Sequence, residues 1–127
     1  MGKKDGPRPT DSELAILQVL WGLGPATVGA IQAELEKIRP TGYTTVLKFL
    51  QIMLEKGLVT RDESRRSHVY AAKEKERVTK KCLVADLAQR AFGGSTHKLV
   101  MQALSEESIS EGERKEIEAL LKQMRGD

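Results

Sequence analysis

Three kinds of feature are scarce or absent in this 127-residue chain, and each scarcity argues against a class of protein. Aromatic residues make up only 4% of the sequence, too few for the stacking platforms that bind single-stranded nucleic acids. The single cysteine, Cys82, allows no internal disulfide and is typical of a reducing compartment. No apolar run approaches the roughly 20 residues of a membrane-spanning helix, and the N-terminal residues show no signal-peptide pattern. We therefore expect a cytoplasmic protein without membrane insertion.

The sequence signatures of common enzymes are also missing. It contains no phosphate-binding glycine loop, Cys-x-x-Cys pair, His-Glu-x-x-His motif or nucleophile elbow. Cys82 lies on an apolar stripe of a predicted helix, where the ordinary interpretation is a small buried hydrophobic residue. His68 adjoins an arginine-rich turn, where a polar contact is more typical than a metal ligand. His97 lies in the first turn of a predicted helix, where a surface or interface role is more typical than a pH switch. We predict that the protein is not an enzyme and has no catalytic residues, no cofactor and no metal site.

Positive charge is concentrated in the first part of the chain. Residues 1–73 contain 11 Lys and Arg against 8 Asp and Glu, whereas residues 74–127 contain ten of each kind. The whole net charge of +3 therefore resides in residues 1–73. This distribution favours contact with nucleic acid by the first part of the chain, and a dimer would double the charge that faces one duplex.

Residues 10–73 have the pattern of three short helices followed by a hairpin. Thr10–Glu13 forms a capping box that opens a helix running to about Trp21. Gly22–Pro25 breaks this helix, Thr27 is a candidate N-cap for the second, and Arg39–Gly42 stops that second run. The apolar residues that these elements would turn inward form the predicted core: Leu14, Leu17, Leu20, Val28, Ile31, Leu35, Val46, Leu50, Leu54 and Val69.

The segment from Thr41 to Tyr70 predicts a helix joined directly to a basic hairpin. The helix runs into Lys56, and Gly57 suits a left-handed C-cap. One arc of its helical wheel is apolar and the opposite arc is polar. The apolar arc comprises Tyr43, Val46, Leu47, Leu50, Met53 and Leu54, and the polar arc comprises Thr44, Lys48, Gln51 and Glu55, with Thr45 beside them.

Two short strands follow, Leu58–Arg61 and Ser67–Tyr70, and they bracket a turn that carries two arginines. A helix with a polar outer face followed by a basic hairpin is typical of a winged helix-turn-helix, in which the helix enters a major groove and the hairpin tip follows the backbone. We therefore predict double-stranded DNA as a partner. The predicted contact residues are Thr44, Thr45, Lys48 and Gln51 on the helix and Arg65, Arg66 and Ser67 on the hairpin.

Residues 74–127 predict a helical domain with more apolar surface than it can cover alone. A helix over about Glu74–Phe92 has two apolar stripes, which implies two covered faces. Ser95 or Thr96 caps a short helix, and Ser110–Glu113 is a second capping box.

We predict a flexible arm at 1–9, a winged-helix domain at 10–73 and a dimerisation domain at 74–127. Dimerisation is assigned to the last segment because self-association is the simplest way to cover its apolar residues. The predicted interface includes Leu83, Leu87, Leu99, Val100, Leu120 and Leu121.

An ordered set of motifs extends over about residues 8–124. It consists of Glu13, Ile16, Leu17, Leu20 and Trp21 in the first helix; Thr45–Val46, Leu50, Leu54 and Glu55–Val59 around the third helix; and Phe92–Ser95 with Leu99–Val100 farther on, followed by the acidic last helix. This set resembles the penicillinase-repressor family of bacterial winged-helix regulators, which control β-lactamase and methicillin-resistance operons. The resemblance implies a homodimer that occupies a palindromic operator and blocks transcription.

The resemblance also implies a route of induction. Family repressors are inactivated when a membrane metalloprotease sensor triggers a cut in the dimerisation domain. The matching position is Gln102–Ala103, where the best-known members have Asn-Phe. We therefore expect repression to be relieved by a signal that disrupts or cleaves the dimerisation domain.

Two alternative functions remain open from the sequence. In a winged-helix module for protein contacts, Lys48, Arg65 and Arg66 would be ordinary surface charges. A metal-responsive repressor would resemble the copper-responsive sister branch, but the paired cysteine motifs of that branch are absent here. A gel shift distinguishes the first alternative from a DNA-binding repressor, and metal titration of the DNA complex tests the second.

Overall fold

A computed structural model describes residues 8–105 and 108–126. Most of the predicted arm at 1–9 lies outside these ranges. The described residues form mainly α-helices with a small antiparallel sheet, which confirms the predicted fold class. The helices are α1 (Asp11–Leu23), α2 (Val28–Glu36), α3 (Tyr43–Lys56), α4 (Glu76–Ala91), α5 (Thr96–Leu104) and α6 (Glu111–Met124), and the strands are β1 (Ala26–Thr27), β2 (Val59–Asp62) and β3 (Val69–Ala72).

The chain divides into two compact units, and the division falls between Lys80 and Lys81, inside α4. The first unit contains α1 to α3 and the sheet, and the second contains most of α4 together with α5 and α6. None of the helices within the described ranges is both long and apolar enough to span a bilayer.

The predicted helix caps are present in the structure. At α1, Thr10 Oγ1 accepts the Glu13 N–H at 3.3 Å, and Glu13 Oε1 accepts the Thr10 N–H at 2.9 Å. Thr27 Oγ1 accepts the Ala30 N–H at 3.3 Å at the start of α2. Gly57 ends α3 with φ +80°, the left-handed region that glycine enters without steric cost. These caps satisfy backbone groups that the helix ends would otherwise leave unpaired.

The sheet has the order β1-β3-β2, and both pairings are antiparallel. Both hairpin strands begin later than predicted. The N–H of Leu58 donates to the Met53 carbonyl at 2.9 Å, so this residue completes the end of α3 and β2 starts at Val59. Ser67 and His68 belong to the exposed turn, and β3 starts at Val69.

The core of the first unit lies between α1, α2, α3 and the sheet. Leu14 and Leu54 are only partly buried, although they pack against this core. The assignment of Val69 to the core was wrong: the pleat of β3 turns Tyr70 inward, to 1% exposure, while Val69 is only half-buried. The buried cluster is Ile16, Leu17, Leu20, Ala26, Val28, Ile31, Leu35, Val46, Leu50, Met53, Val59 and Tyr70.

In the second unit, most large apolar side chains are exposed in the single chain. Ser95 Oγ accepts the Lys98 N–H at 3.0 Å to begin α5, and Ser110 forms the predicted capping box with Glu113 to begin α6. Ala88 is the buried residue of α4, whereas Cys82 is exposed, contrary to its predicted burial. The exposed large apolar residues of α4 to α6 within this unit are Val84, Leu87, Val100, Met101, Leu104, Leu120, Leu121 and Met124.

Candidate nucleic-acid interface

Helix α3 buries one narrow row of side chains and presents a polar row to solvent. Val46, Leu50 and Met53 have 0% exposure and fix the rotation of the helix against the core. Their spacing of four and three residues places them on one side of the helix. On the opposite side, Thr44, Lys48 and Gln51 are exposed and lie within about one sixth of a turn of one another. A continuous strip of hydrogen-bonding side chains therefore faces outward.

The two flanks of α3 face different concave surfaces. Thr45 is exposed and lines a groove of about 320 Å³ together with Phe49, residues of α1 and the turn before α3. Tyr43 and Leu47 lie on the other flank and line a cleft beside the β2–β3 turn. Thr45 thus lies beside the strip of Thr44, Lys48 and Gln51 rather than within it.

Both ends of α3 are held by side chains from other helices. Before its first turn, Gln32 Nε2 donates to the Thr41 carbonyl at 3.1 Å, and the Thr41 N–H donates to Glu36 Oε2 at 2.7 Å. At its C-terminal end, Lys56 Nζ donates to Glu13 Oε1 at 2.7 Å. Together with the buried row, these contacts hold the polar strip in one orientation.

The turn between β2 and β3 carries the predicted basic tip. Arg61 pairs with Tyr70 across the sheet and forms an ion pair with Glu63, and its interactions with Tyr70 and then Glu63 raise the pKa of Arg61. Hydrogen bonds from the Ser64 side chain and backbone, with a smaller contribution from Arg65, lower the pKa of Asp62. Asp62 at the end of β2 and Glu63 in the turn are therefore both engaged locally.

The predicted hairpin contact residues, Arg65, Arg66 and Ser67, are all exposed. Arg65 interacts with Asp62. Within the part of the chain that the structure describes, the Arg66 guanidinium has no ion-pair partner. Arg66 and Ser67 also line the cleft that Tyr43 and Leu47 border. The structure thus brings the β2–β3 hairpin, here called the wing, and one flank of α3 to a common surface.

This cleft has a volume of about 430 Å³ and contains a residue that sequence reasoning missed. Tyr43 was predicted to belong to the apolar arc of α3, but it is 52% exposed. Tyr43 is the first residue of α3 and directly follows Pro-Thr-Gly, and this position at the helix end was the signal in the sequence that could have indicated exposure. The lining is Thr27, Val28, Gly29, Tyr43, Leu47, Arg66, Ser67, His68 and Tyr70, with no carboxylate among them.

Residues suited to metal binding do not come together in the described part of the chain, where no group of three His, Cys, Asp or Glu side chains could hold an ion. His68 lines the cleft and His97 is exposed in the first turn of α5.

Three helices, the third with an exposed polar strip, and an antiparallel hairpin with arginines at its tip define a winged helix-turn-helix protein. The profile of the Penicillinase repressor family matches residues 9–123, and the chain belongs to that family. This match confirms the resemblance found in the sequence. The family consists of DNA-binding transcriptional repressors. No curated protein matches the chain.

Proposed function

We propose that this protein is a homodimeric repressor that binds a palindromic operator through α3 and the β2–β3 wing. The observation that carries the proposal is the strip of Thr44, Lys48 and Gln51, exposed directly opposite the buried row of α3. An α-helix fits the major groove of B-DNA, and side chains of these types reach base edges there. The rigid attachment of α3 at both ends suits readout of sequence, because base contacts need a fixed register.

In this proposal the wing and the neighbouring hydroxyls hold the DNA backbone. Arg65, Arg66 and Ser67 are exposed at a tip where Glu63 and Asp62 are already engaged by Arg61 and Ser64. Guanidinium and hydroxyl groups donate well to phosphate oxygens, and such contacts fix the position of a protein without reading sequence. Thr45, on the other flank of α3, is available to a phosphate or a thymine methyl at the groove edge.

Dimerisation through residues 74–127 would explain the apolar surface of the second unit. Leu87, Leu120 and Leu121 are 43%, 56% and 53% exposed in the single chain, and Val100 is 41% exposed. Leu83 and Leu99, which belong to the same predicted interface, are half-buried. A second copy would cover these side chains and remove them from water. A two-fold dimer also matches the symmetry of a palindromic operator.

Release of the operator would follow from disruption of that interface. Gln102 and Ala103 lie inside α5 and are exposed, at the position where the family resemblance implies a cut. Cleavage there would separate Leu120 and Leu121 from the rest of the chain. The proposed signal reaches the protein through a membrane metalloprotease sensor pathway.

The test is a titration of the full-length protein on DNA from upstream of its own gene, with random DNA of equal length as competitor. We expect specific binding that is retained in excess competitor, and a dimer in sedimentation analysis at micromolar concentration. Equal affinity for both DNAs would contradict a sequence-specific repressor. Absence of DNA binding even at low salt would instead favour the protein-interaction module.

A further inference from the structure

Tyr43, the first residue of α3, is an aromatic residue with high solvent exposure. Half of this aromatic residue is exposed, although its helical-wheel position adjoins the buried row. Its hydroxyl has no hydrogen-bond partner within residues 8–105 and 108–126. Tyr43 lines the cleft between α3 and the wing, so a residue that carries a hydrogen-bond donor borders this concave surface.

The chemistry of this cleft matches a single anionic group. Arg66, Ser67 and His68 contribute to its wall from the wing, and Thr27 and Gly29 contribute from the start of α2. The lining contains no carboxylate, and Arg66 has no ion-pair partner among the described residues. A phosphodiester carries one negative charge and accepts several hydrogen bonds, which is what a guanidinium and a phenol hydroxyl can offer together.

We propose that Tyr43 is a DNA-positioning residue whose hydroxyl donates a hydrogen bond to one backbone phosphate, seated in this cleft against Arg66. The inference rests on the proposed function, since the phosphate belongs to the DNA that α3 reads. It adds to that function a single phosphate that binds to both α3 and the wing. Such a contact fixes the depth and rotation of α3 in the groove, on which base contacts by Thr44 and Lys48 depend.

Gly29 offers a steric probe of the same cleft. It is exposed on α2, lines the cleft, and a Cβ added there would meet no atom within 4 Å. The Cβ that Gly29→Gln adds therefore meets open space, and glutamine is a better helix former than glycine. Gly22 is the matched control, because it is exposed in α1, has the same open space and lines neither concave surface.

The experiment measures binding of full-length wild type, Tyr43→Phe, Gly29→Gln and Gly22→Gln to DNA from upstream of the gene. Because the phenylalanine keeps the ring and loses only the hydroxyl, we expect about tenfold weaker binding, the size of one hydrogen bond to a charged group. We expect a similar loss for Gly29→Gln and none for Gly22→Gln. Thermal unfolding should show that Tyr43→Phe and Gly29→Gln remain as stable as wild type.

Phosphate ethylation interference identifies the contact directly. At one backbone position in each half-site, ethylation should weaken wild-type binding but no longer weaken binding by Tyr43→Phe. Unchanged affinity and an unchanged interference pattern for Tyr43→Phe, with wild type still bound to this DNA, would overturn the role of Tyr43 and leave the proposed function standing. Failure of wild type itself to bind the DNA would overturn both.

Discussion

Lys56 Nζ lies 2.7 Å from Glu13 Oε1, and this ion pair joins the C-terminal end of α3 to the first turn of α1. The Glu13 side chain is only 3% exposed and that of Lys56 is 27% exposed. The same carboxylate accepts the Thr10 N–H, so it closes the capping box of α1 and also anchors the C-terminal end of α3. The ion pair between Lys56 and Glu13 therefore helps to fix the position of α3 against α1.

Lys56→Met should destabilise the protein because it leaves the buried Glu13 carboxylate without its ammonium partner. We expect the free energy of unfolding to fall by about 1–3 kcal/mol, less than for a fully buried pair because Lys56 is partly solvated. Lys37→Met is the control, since the Lys37–Glu34 pair has side-chain exposures of 71% and 36%. Exposed pairs contribute about 0–1 kcal/mol. Urea denaturation that shows equal losses would contradict the anchoring role.

Stability should depend on the ionisation of Glu13 in the acid range. Burial raises the pKa of Glu13, but hydrogen bonds from Lys56 and Thr10 outweigh it and hold the pKa below the ordinary 4.5. An ionised Glu13 thus stabilises the fold above its unfolded-state pKa, and this contribution is lost as pH falls through the lower folded-state pKa. Glu13→Gln, which keeps the capping-box geometry, should flatten the decline in unfolding free energy below about pH 4.5. If the unfolding free energies of wild type and Glu13→Gln fall in parallel as the pH is lowered, the ionisation of Glu13 does not contribute to acid stability.

Lys48→Ala should weaken binding to the operator and relax its specificity. A lysine that reaches guanine O6 or N7 contributes roughly 1–3 kcal/mol. The control is Lys37→Ala, which removes an exposed lysine from the C-cap of α2. Fluorescence anisotropy at matched salt, repeated on DNA with single base-pair changes, gives both quantities. If both alanine variants bind as wild type does, Lys48 is not a base-reading residue.

Neutralising Arg65 and Arg66 together should reduce specific and random DNA binding alike. Each phosphate contact contributes about 0.9 to the slope of log affinity against log salt, so the slope should fall by about 1.8 if both arginines contact phosphate. Lys115→Gln with Lys122→Gln on α6 removes the same charge elsewhere and should change the slope little. Loss of operator binding alone, with random DNA binding intact, would indicate that the wing reads bases.

Leu120→Asp should convert the proposed dimer into a monomer. A carboxylate in an apolar interface is costly to bury, and separate half-sites lose the avidity of tethering, which reaches ~10²–10⁴. Leu23→Asp is the control, because Leu23 in α1 is 49% exposed and Leu120 is 56% exposed. Sedimentation velocity and operator titration together check the outcome. A variant that remains dimeric would place the interface elsewhere.

The helices were predictable because local signals specify them. The capping residues Thr10, Thr27 and Ser110 announce helix starts in the sequence, and each forms the expected hydrogen bond. Which strand residues are buried depends instead on tertiary contacts. Whether Val69 or Tyr70 enters the core depends on the register of β3 against both neighbours, and β1 is only two residues long.

The candidate site divides in the same way. The exposed strip of α3 follows from helical periodicity, and the structure places Thr44, Lys48 and Gln51 on it. Tyr43 has the periodicity of a core residue, but the buried row of α3 begins only at Val46, and Tyr43 lines the cleft instead. Only the folded arrangement of α2, α3 and the wing reveals that position.

Trp21 Nε1 donates to the Glu74 carbonyl at 3.3 Å, just before α4 begins. Trp21 is the single tryptophan of the sequence, so the intrinsic fluorescence of the protein comes mainly from this indole. Its emission wavelength reports whether the segment that leaves the wing remains attached to α1. The protein therefore contains a native optical probe of the first unit, with which detachment of the segment before α4 from α1 can be followed without any attached label.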